Sequence, residues 1–200
     1  MKQRLFLFFI LIGCNPKSKT SVPETAVANK TIASTNDNDP GNLMLDEDKF
    51  WQEIAKTHNG ISLTNILNKI NPEEIVAFSN RFDSLMSTAY DWRLWGGAFV
   101  IYGGCSDDCF DDFRANLIMQ GKERFYQTLR DPESSITWIN ANELTVDENP
   151  STIISEVYRT KTGKEIPYQK MSKFEPSGVK FDEATVDRKY PKLAKKFSSN

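Results

Sequence analysis

Asn71-Pro72-Glu73-Glu74-Ile75-Val76-Ala77-Phe78-Ser79-Asn80-Arg81-Phe82-Asp83-Ser84-Leu85 is the stretch that decides the fold. The Asn71 side chain suits a helix cap, Pro72 fits the first helical position, and Glu73 and Glu74 favour the positive end of a helix dipole. Ile75, Phe78, Phe82, Leu85 and Ala89 then recur at helical spacing, which predicts a long amphipathic helix.

Working outward, Trp92 to Tyr102 is apolar nearly all round and predicts a central buried helix, closed by Gly103-Gly104. Ser106 caps the next, with Phe110, Phe113, Leu117 and Ile118 inward and Gly121 as terminator, and Phe125, Tyr126 and Leu129 continue it to Asp131-Pro132. Upstream, Asp46 caps a helix to about Lys56 that carries Phe50, Trp51 and Ile54, stopped at His58-Asn59-Gly60. Downstream, Asn149-Pro150 opens a helix with Ile153, Ile154, Val157 and Tyr158, closed by Gly163. Irregular turns follow around Pro167 and Pro176, then a short element near Tyr190-Pro191-Lys192-Leu193. No run alternates as a strand, and there is no internal repeat. The reading is mainly α: a single compact domain of about six to eight helices over 44–200.

The N-terminus is of another kind. Lys2 and Arg4 precede the apolar run Leu5 to Ile12, which is far shorter than the ~20 residues of a membrane-spanning helix and fits a secretory signal. Leu11-Ile12-Gly13-Cys14 resembles the lipobox of bacterial lipoproteins. That resemblance implies cleavage after residue 13 and a lipid on Cys14, which with more than one acyl chain is a stable anchor. Residues 15–43 are Lys, Ser, Thr, Asn, Pro and small residues without an aromatic, the composition of a disordered tether. Such a coil reaches roughly 30 Å. All four tryptophans, Trp51, Trp92, Trp95 and Trp138, lie beyond it. The chain carries a net charge of −2, and losing Lys2 and Arg4 leaves 23 basic residues against 27 acidic, or −4. That balance gives no basic surface for nucleic acid.

From Arg81 the sequence becomes distinctive: Arg81-Phe82-Asp83-Ser84-Leu85-Met86, Ala89-Tyr90, Trp92-Arg93-Leu94-Trp95-Gly96, Gly103-Gly104-Cys105-Ser106-Asp107-Asp108, Phe113-Arg114 and Gln120-Gly121. These motifs, with Asp48-Lys49-Phe50-Trp51, Asp131-Pro132 and Tyr190-Pro191-Lys192-Leu193, resemble the bacterial family known as domain of unknown function 4240. The resemblance covers roughly Met44 to Phe197 and implies a compact, mostly helical domain without an assigned activity. Asn116, where the family has an aromatic, and Cys109, a second thiol, depart from it. Many members also lack a lipoprotein signal.

The candidate chemistry lies mostly between Gly103 and Asp112. The two glycines before a capped helix could offer N–H groups to an anion, although four nearby carboxylates oppose that. Asp108, Asp111 and Asp112 share a helical face and are expected to stabilise the helix dipole, with a Ca²⁺ or Mg²⁺ site as the alternative. Cys105 and Cys109 are expected to be two small buried residues, with a disulfide, a metal site or a reactive thiol as alternatives. His58 is expected to cap a helix end. Arg81, Asp83, Asp91, Arg93 and Arg114 are expected to form ion pairs around the Trp92 and Trp95 helix, or to edge an aromatic-floored pocket. Lys189, Lys192, Lys195 and Lys196 read as a solvated helix face, with contact to anionic lipid as the alternative.

These residues favour a non-enzymatic envelope module that binds a protein or small ligand through the Trp/Arg/Asp/Gly-Gly region, without a cofactor. It would be held by Cys14 on an outer membrane facing the periplasm, or on the cell surface. A metal-assisted hydrolase using Asp107, Asp108, Asp111 and Asp112 is the first alternative. A thiol redox protein using Cys105 and Cys109 is the second.

Overall fold

A computed structural model describes residues 43–139, 149–167 and 175–197, and the backbone of 32–34. The signal segment, Cys14 and most of the expected tether lie outside the described residues. Within them the chain forms eight α-helices and one pair of short strands.

The decisive stretch forms α3, Pro72–Thr88. Asn71 accepts from the Glu74 N–H at 2.9 Å, and Glu74 accepts from the Asn71 N–H at 3.0 Å, a reciprocal capping box. The other expected helices are present: α1, Glu47–Thr57, capped by Asp46; α4, Trp92–Tyr102, capped by Asp91; and α5, Asp107–Met119, capped by Ser106. After them come α6, Lys122–Arg130; α7, Pro150–Thr162; and α8, Pro191–Phe197. Gly121, read as a terminator, has φ +89° and precedes α6 as its cap, so it separates two helices rather than breaking one.

Two features escaped the sequence pattern. Helix α2, Leu63–Leu67, is five residues long, too short for a 3.6-residue period to register, and Ser62 caps it. Strands β1, Ile32–Ser34, and β2, Leu43–Leu45, pair antiparallel, three residues each, too short for alternation to be read. Strand β2 lies along α3: Asn80 donates to the Leu43 carbonyl at 2.5 Å and Arg81 Nε to the Leu45 carbonyl at 2.8 Å.

Helix α3 runs through the core, packing against α1, α5 and α7. Phe50, Phe78, Phe82, Phe110, Phe113 and Phe125 are fully buried, and burying one such ring contributes roughly 1.5–3 kcal/mol. Helix α4 packs on α8 and on a 3-10 segment, Pro132–Thr137. Glycines on α4 make this approach possible: a Cβ on Gly96 would stand 3.0 Å from the Tyr190 ring, and one on Gly97 only 2.8 Å from Pro132 Cβ. Among the described residues no helix is long and apolar enough to cross a membrane.

Candidate functional site

A row of nearly parallel rings runs outward from the core. Phe113 lies 6.3 Å from Phe110, Phe110 lies 4.8 Å from Trp95 at 12°, and Trp95 lies 4.9 Å from Trp92 at 9°. Offset-stacked rings at such separations attract by roughly 0.5–1.5 kcal/mol beyond their buried area. The row is tied down at Trp95, whose indole N–H donates to the Cys105 carbonyl at 2.9 Å.

Trp92 ends the row at the surface and forms one wall of a cleft of about 430 Å³. Phe181, edge-on to Trp92 at 6.0 Å, and Tyr190 complete the aromatic walls. Gly178 and Val179 close one side, while Asp91, Arg93 and Lys189 supply the charges. The C-terminal segment is held in place by a parallel bridge: Trp92 N–H donates to the Ser177 carbonyl at 2.9 Å and Ser177 N–H to the Tyr90 carbonyl at 2.9 Å. Asp91 Oδ1 accepts from the N–H groups of Arg93 and Leu94, and Oδ2 accepts from the Ser177 hydroxyl at 3.0 Å. Tyr190 donates its hydroxyl to the Arg93 carbonyl at 2.7 Å, and burial holds that hydroxyl's pKa above the ordinary tyrosine value.

The structure therefore brings Trp92, Trp95 and Arg93 together with Asp91 and scatters the other candidates. Ion pairs are present as expected, Arg93 with Asp91, Arg81 with Glu47 and Arg114 with Asp111, but they do not converge on one point. The Arg93 guanidinium donates to the Leu129 and Arg130 carbonyls at 2.6 and 3.1 Å, closing the end of α6, with Asp91 4.0 Å from Nε. Arg81 lies elsewhere, on β2 and near Glu47. Asp83 is half-buried, and desolvation pushes its carboxyl up to about 6. Arg114 is a packing residue, 3 % exposed. It donates to the Met86 carbonyl and to Asp111, and stacks over Tyr90 at 4.5 Å and Phe110 at 5.1 Å.

The Gly-Gly-Cys region also differs from its sequence reading. The N–H groups of Gly103 and Gly104 both donate to the Phe99 carbonyl and close α4, so they are not presented to an anion. Cys105 and Cys109 are half-buried and joined in a disulfide, not two packed thiols. Cys105 lies in the extended entry before Ser106, and this brings the two Cα atoms to 5.3 Å, within disulfide range.

The alternative of a cation cluster is not assembled, because Asp111 pairs with Arg114 and Asp112 accepts from Asn149 at 2.8 Å. Asp107 and Asp108 lie exposed in the first turn of α5, where they favour the helix dipole. Among the described residues no three His, Cys, Asp or Glu side chains gather to hold a metal ion. His58 follows the last residue of α1, as expected of a cap. Its ring also meets the Met119 carbonyl at 2.7 Å, joining the ends of α1 and α5. Of the C-terminal lysines, Lys189 lines the cleft and Lys196 donates to the Ile136 and Ile139 carbonyls.

Gly178, Val179 and Phe181 were invisible as site residues, because they sit in a turn without periodicity. The only local signal was Gly178 after Pro176. Two further clefts are less suited to a ligand. One of about 360 Å³ on α7 has only polar and charged walls, including Ser155, Glu156 and Arg159. The other, of about 170 Å³, lies between α2 and α7.

The family described as "Protein of unknown function (DUF4240)" has a sequence model that matches residues 45–160, more than half of the chain. The match takes in Asp91, Trp92, Arg93 and the disulfide. It ends before Gly178 to Tyr190, so the cleft joins a family segment to a segment outside the matched span. No curated protein and no solved structure matches the chain.

Proposed function

The chain belongs to the DUF4240 family of proteins of unknown function, and from that premise we propose that it is a lipid-anchored, non-enzymatic binding module of the bacterial cell envelope, with its ligand site in the Trp92 cleft. The observation that carries the reading is the cleft itself. At about 430 Å³ it falls in the range of small-molecule sites, and it pairs aromatic walls with a few fixed charges. Its Asp91 and Tyr190 already spend their oxygens on hydrogen bonds within the protein, which supports holding over transforming a ligand. Its walls are held from several sides before any ligand arrives: Trp92 by Trp95, Asp91 by Ser177, and Tyr190 by the Arg93 carbonyl. Preorganisation of that kind lowers the ordering cost of binding.

The address rests on Lys2, Arg4, the apolar run and the Leu11-Ile12-Gly13-Cys14 sequence. The Cys105–Cys109 disulfide supports it, since such bonds persist in oxidising compartments. The same bond favours, as a second reading, a thiol redox role. Cysteines trapped in cells and found always reduced in the envelope would exclude that role.

The binding reading is tested by titrating the full chain with small aromatic fragments while following tryptophan indole N–H signals by NMR. Binding at the cleft moves the Trp92 signal, and Trp92→Ala abolishes the response. Fragments that bind Trp92→Ala as well as the parent chain would refute the assignment.

A further inference from the structure

We propose that the Trp92 cleft takes an anionic ligand, a phosphate or carboxylate, that also carries a flat apolar group. The flat group lies against Trp92, and the negative charge sits beside Lys180 and Lys189. The proposal rests on the reading of this cleft as the ligand site.

Charge accounting around the cleft leads to this class of ligand. Asp91 is the sole acid among the lining residues, and both its oxygens are engaged by Arg93, Leu94 and Ser177. It is therefore a poor partner for an incoming cation. The bases are in the opposite condition. Lys189 lines the cleft without a carboxylate partner among the described residues, and Lys180 meets only the Trp92 ring, its ammonium 5.2 Å from the centroid. Arg93 gives its guanidinium N–H groups to the neutral Leu129 and Arg130 carbonyls, with Asp91 4.0 Å from Nε. What the cleft offers a charged ligand is thus two exposed ammonium groups able to swing onto an anion.

The flat group follows from Trp92. One face of its ring rests on Trp95 at 4.9 Å and the Lys180 ammonium stands over the ring, 5.2 Å from its centroid, so a flat ligand takes the outer face by drawing Lys180 aside onto its own negative charge. Phe181 stands edge-on beside it. The Trp92 indole N–H donates to no described residue, although the neighbouring Trp95 N–H is satisfied by Cys105. A ligand with an anionic oxygen next to a planar group would use the outer ring face, the indole N–H and both lysines together, giving the displaced Lys180 a counter-charge. A cationic ligand would displace Lys180 without offering it one, and would find no free carboxylate among the cleft-lining residues.

The test uses the full chain and four probes: phenyl phosphate, benzyl alcohol, benzyltrimethylammonium and inorganic phosphate. The readout is the Trp92 indole N–H signal, assigned by its loss in Trp92→Phe. Phenyl phosphate is expected to bind about tenfold more tightly than benzyl alcohol, the gain expected from two exposed charge contacts. Lys180→Gln with Lys189→Gln should remove that advantage, so that phenyl phosphate binds the variant no more tightly than benzyl alcohol binds the same variant; both lysines are exposed, so the fold does not depend on them. Benzyltrimethylammonium matching phenyl phosphate would overturn the charge assignment, and inorganic phosphate matching it would overturn the flat group. Both results leave the cleft as a site. A Trp92 signal unmoved by every ring-bearing probe would overturn the cleft reading itself.

Discussion

Trp95 donates its indole N–H to the Cys105 carbonyl at 2.9 Å, and by that bond the disulfide-clamped entry to α5 holds the ring row that ends at the cleft. Trp95→Phe keeps a ring in the stack and removes only the donor. It is expected to cost about 1 kcal/mol, the value of one partly buried hydrogen bond, whereas Trp95→Ala, which also leaves a hole, costs roughly 3–5 kcal/mol. Denaturant unfolding of both variants checks the ratio.

The disulfide closes a loop of only a few residues. Chain entropy assigns a short loop about 2 kcal/mol, near the lower end of the usual range. Cys105→Ser with Cys109→Ser should therefore unfold at lower denaturant than the parent by that amount. The parent measured with reductant should match the double variant.

Gly97→Ala sets two effects against each other. Alanine favours a helix interior by about 1 kcal/mol over glycine. Its methyl group would stand 2.8 Å from Pro132 Cβ, and the proline ring has no free rotor to move aside. Overpacking typically costs ~1–3 kcal/mol, so the clash wins and the net loss is about 1 kcal/mol. Thermal melting should show a drop of roughly 2–4 °C.

Asp83 supplies a pH signature. Burial raises its carboxyl from the usual 3.8 to about 6, so the folded chain binds this proton more tightly than the unfolded chain. Its contribution to stability is greatest below about pH 4, declines as pH rises toward 6, and stays low above that. Asp83→Asn removes the slope and stabilises the chain at pH 7, with a ceiling of about 3 kcal/mol that residual solvent contact lowers. Unfolding measured from pH 4 to 7 on both chains tests the sign; a parent that gains stability relative to Asp83→Asn across that interval contradicts it.

The helices were legible because their signals are local. Asn71-Pro72 with Glu74, Asp46 and Ser106 are caps that act within a turn, and the periods of Ile75, Phe78 and Phe82 survive any tertiary arrangement. Half of the cleft was legible too, since Trp92 and Arg93 begin the most apolar helix. The other half was not. Phe181 and Tyr190 reach Trp92 through the Ser177 bridge to Tyr90 and Trp92 and the Tyr190 bond to the Arg93 carbonyl, contacts across more than eighty residues that leave no spacing in the sequence. For the acids from Asp107 to Asp112 the helix-dipole role was legible and the side-chain partners were not. Their helical spacing suggested a shared face, yet Arg114 and Asn149, which separate Asp111 from Asp112, enter from positions that spacing alone cannot rank.

The central claim is that the Trp92 cleft is where this domain holds its ligand, and crystals soaked with phenyl phosphate test it most directly. The account predicts ring density against Trp92 and Phe181, with the phosphate within reach of Lys180 or Lys189. Density in the α7 cleft at Ser155 and Arg159, with the Trp92 cleft unoccupied, would contradict it.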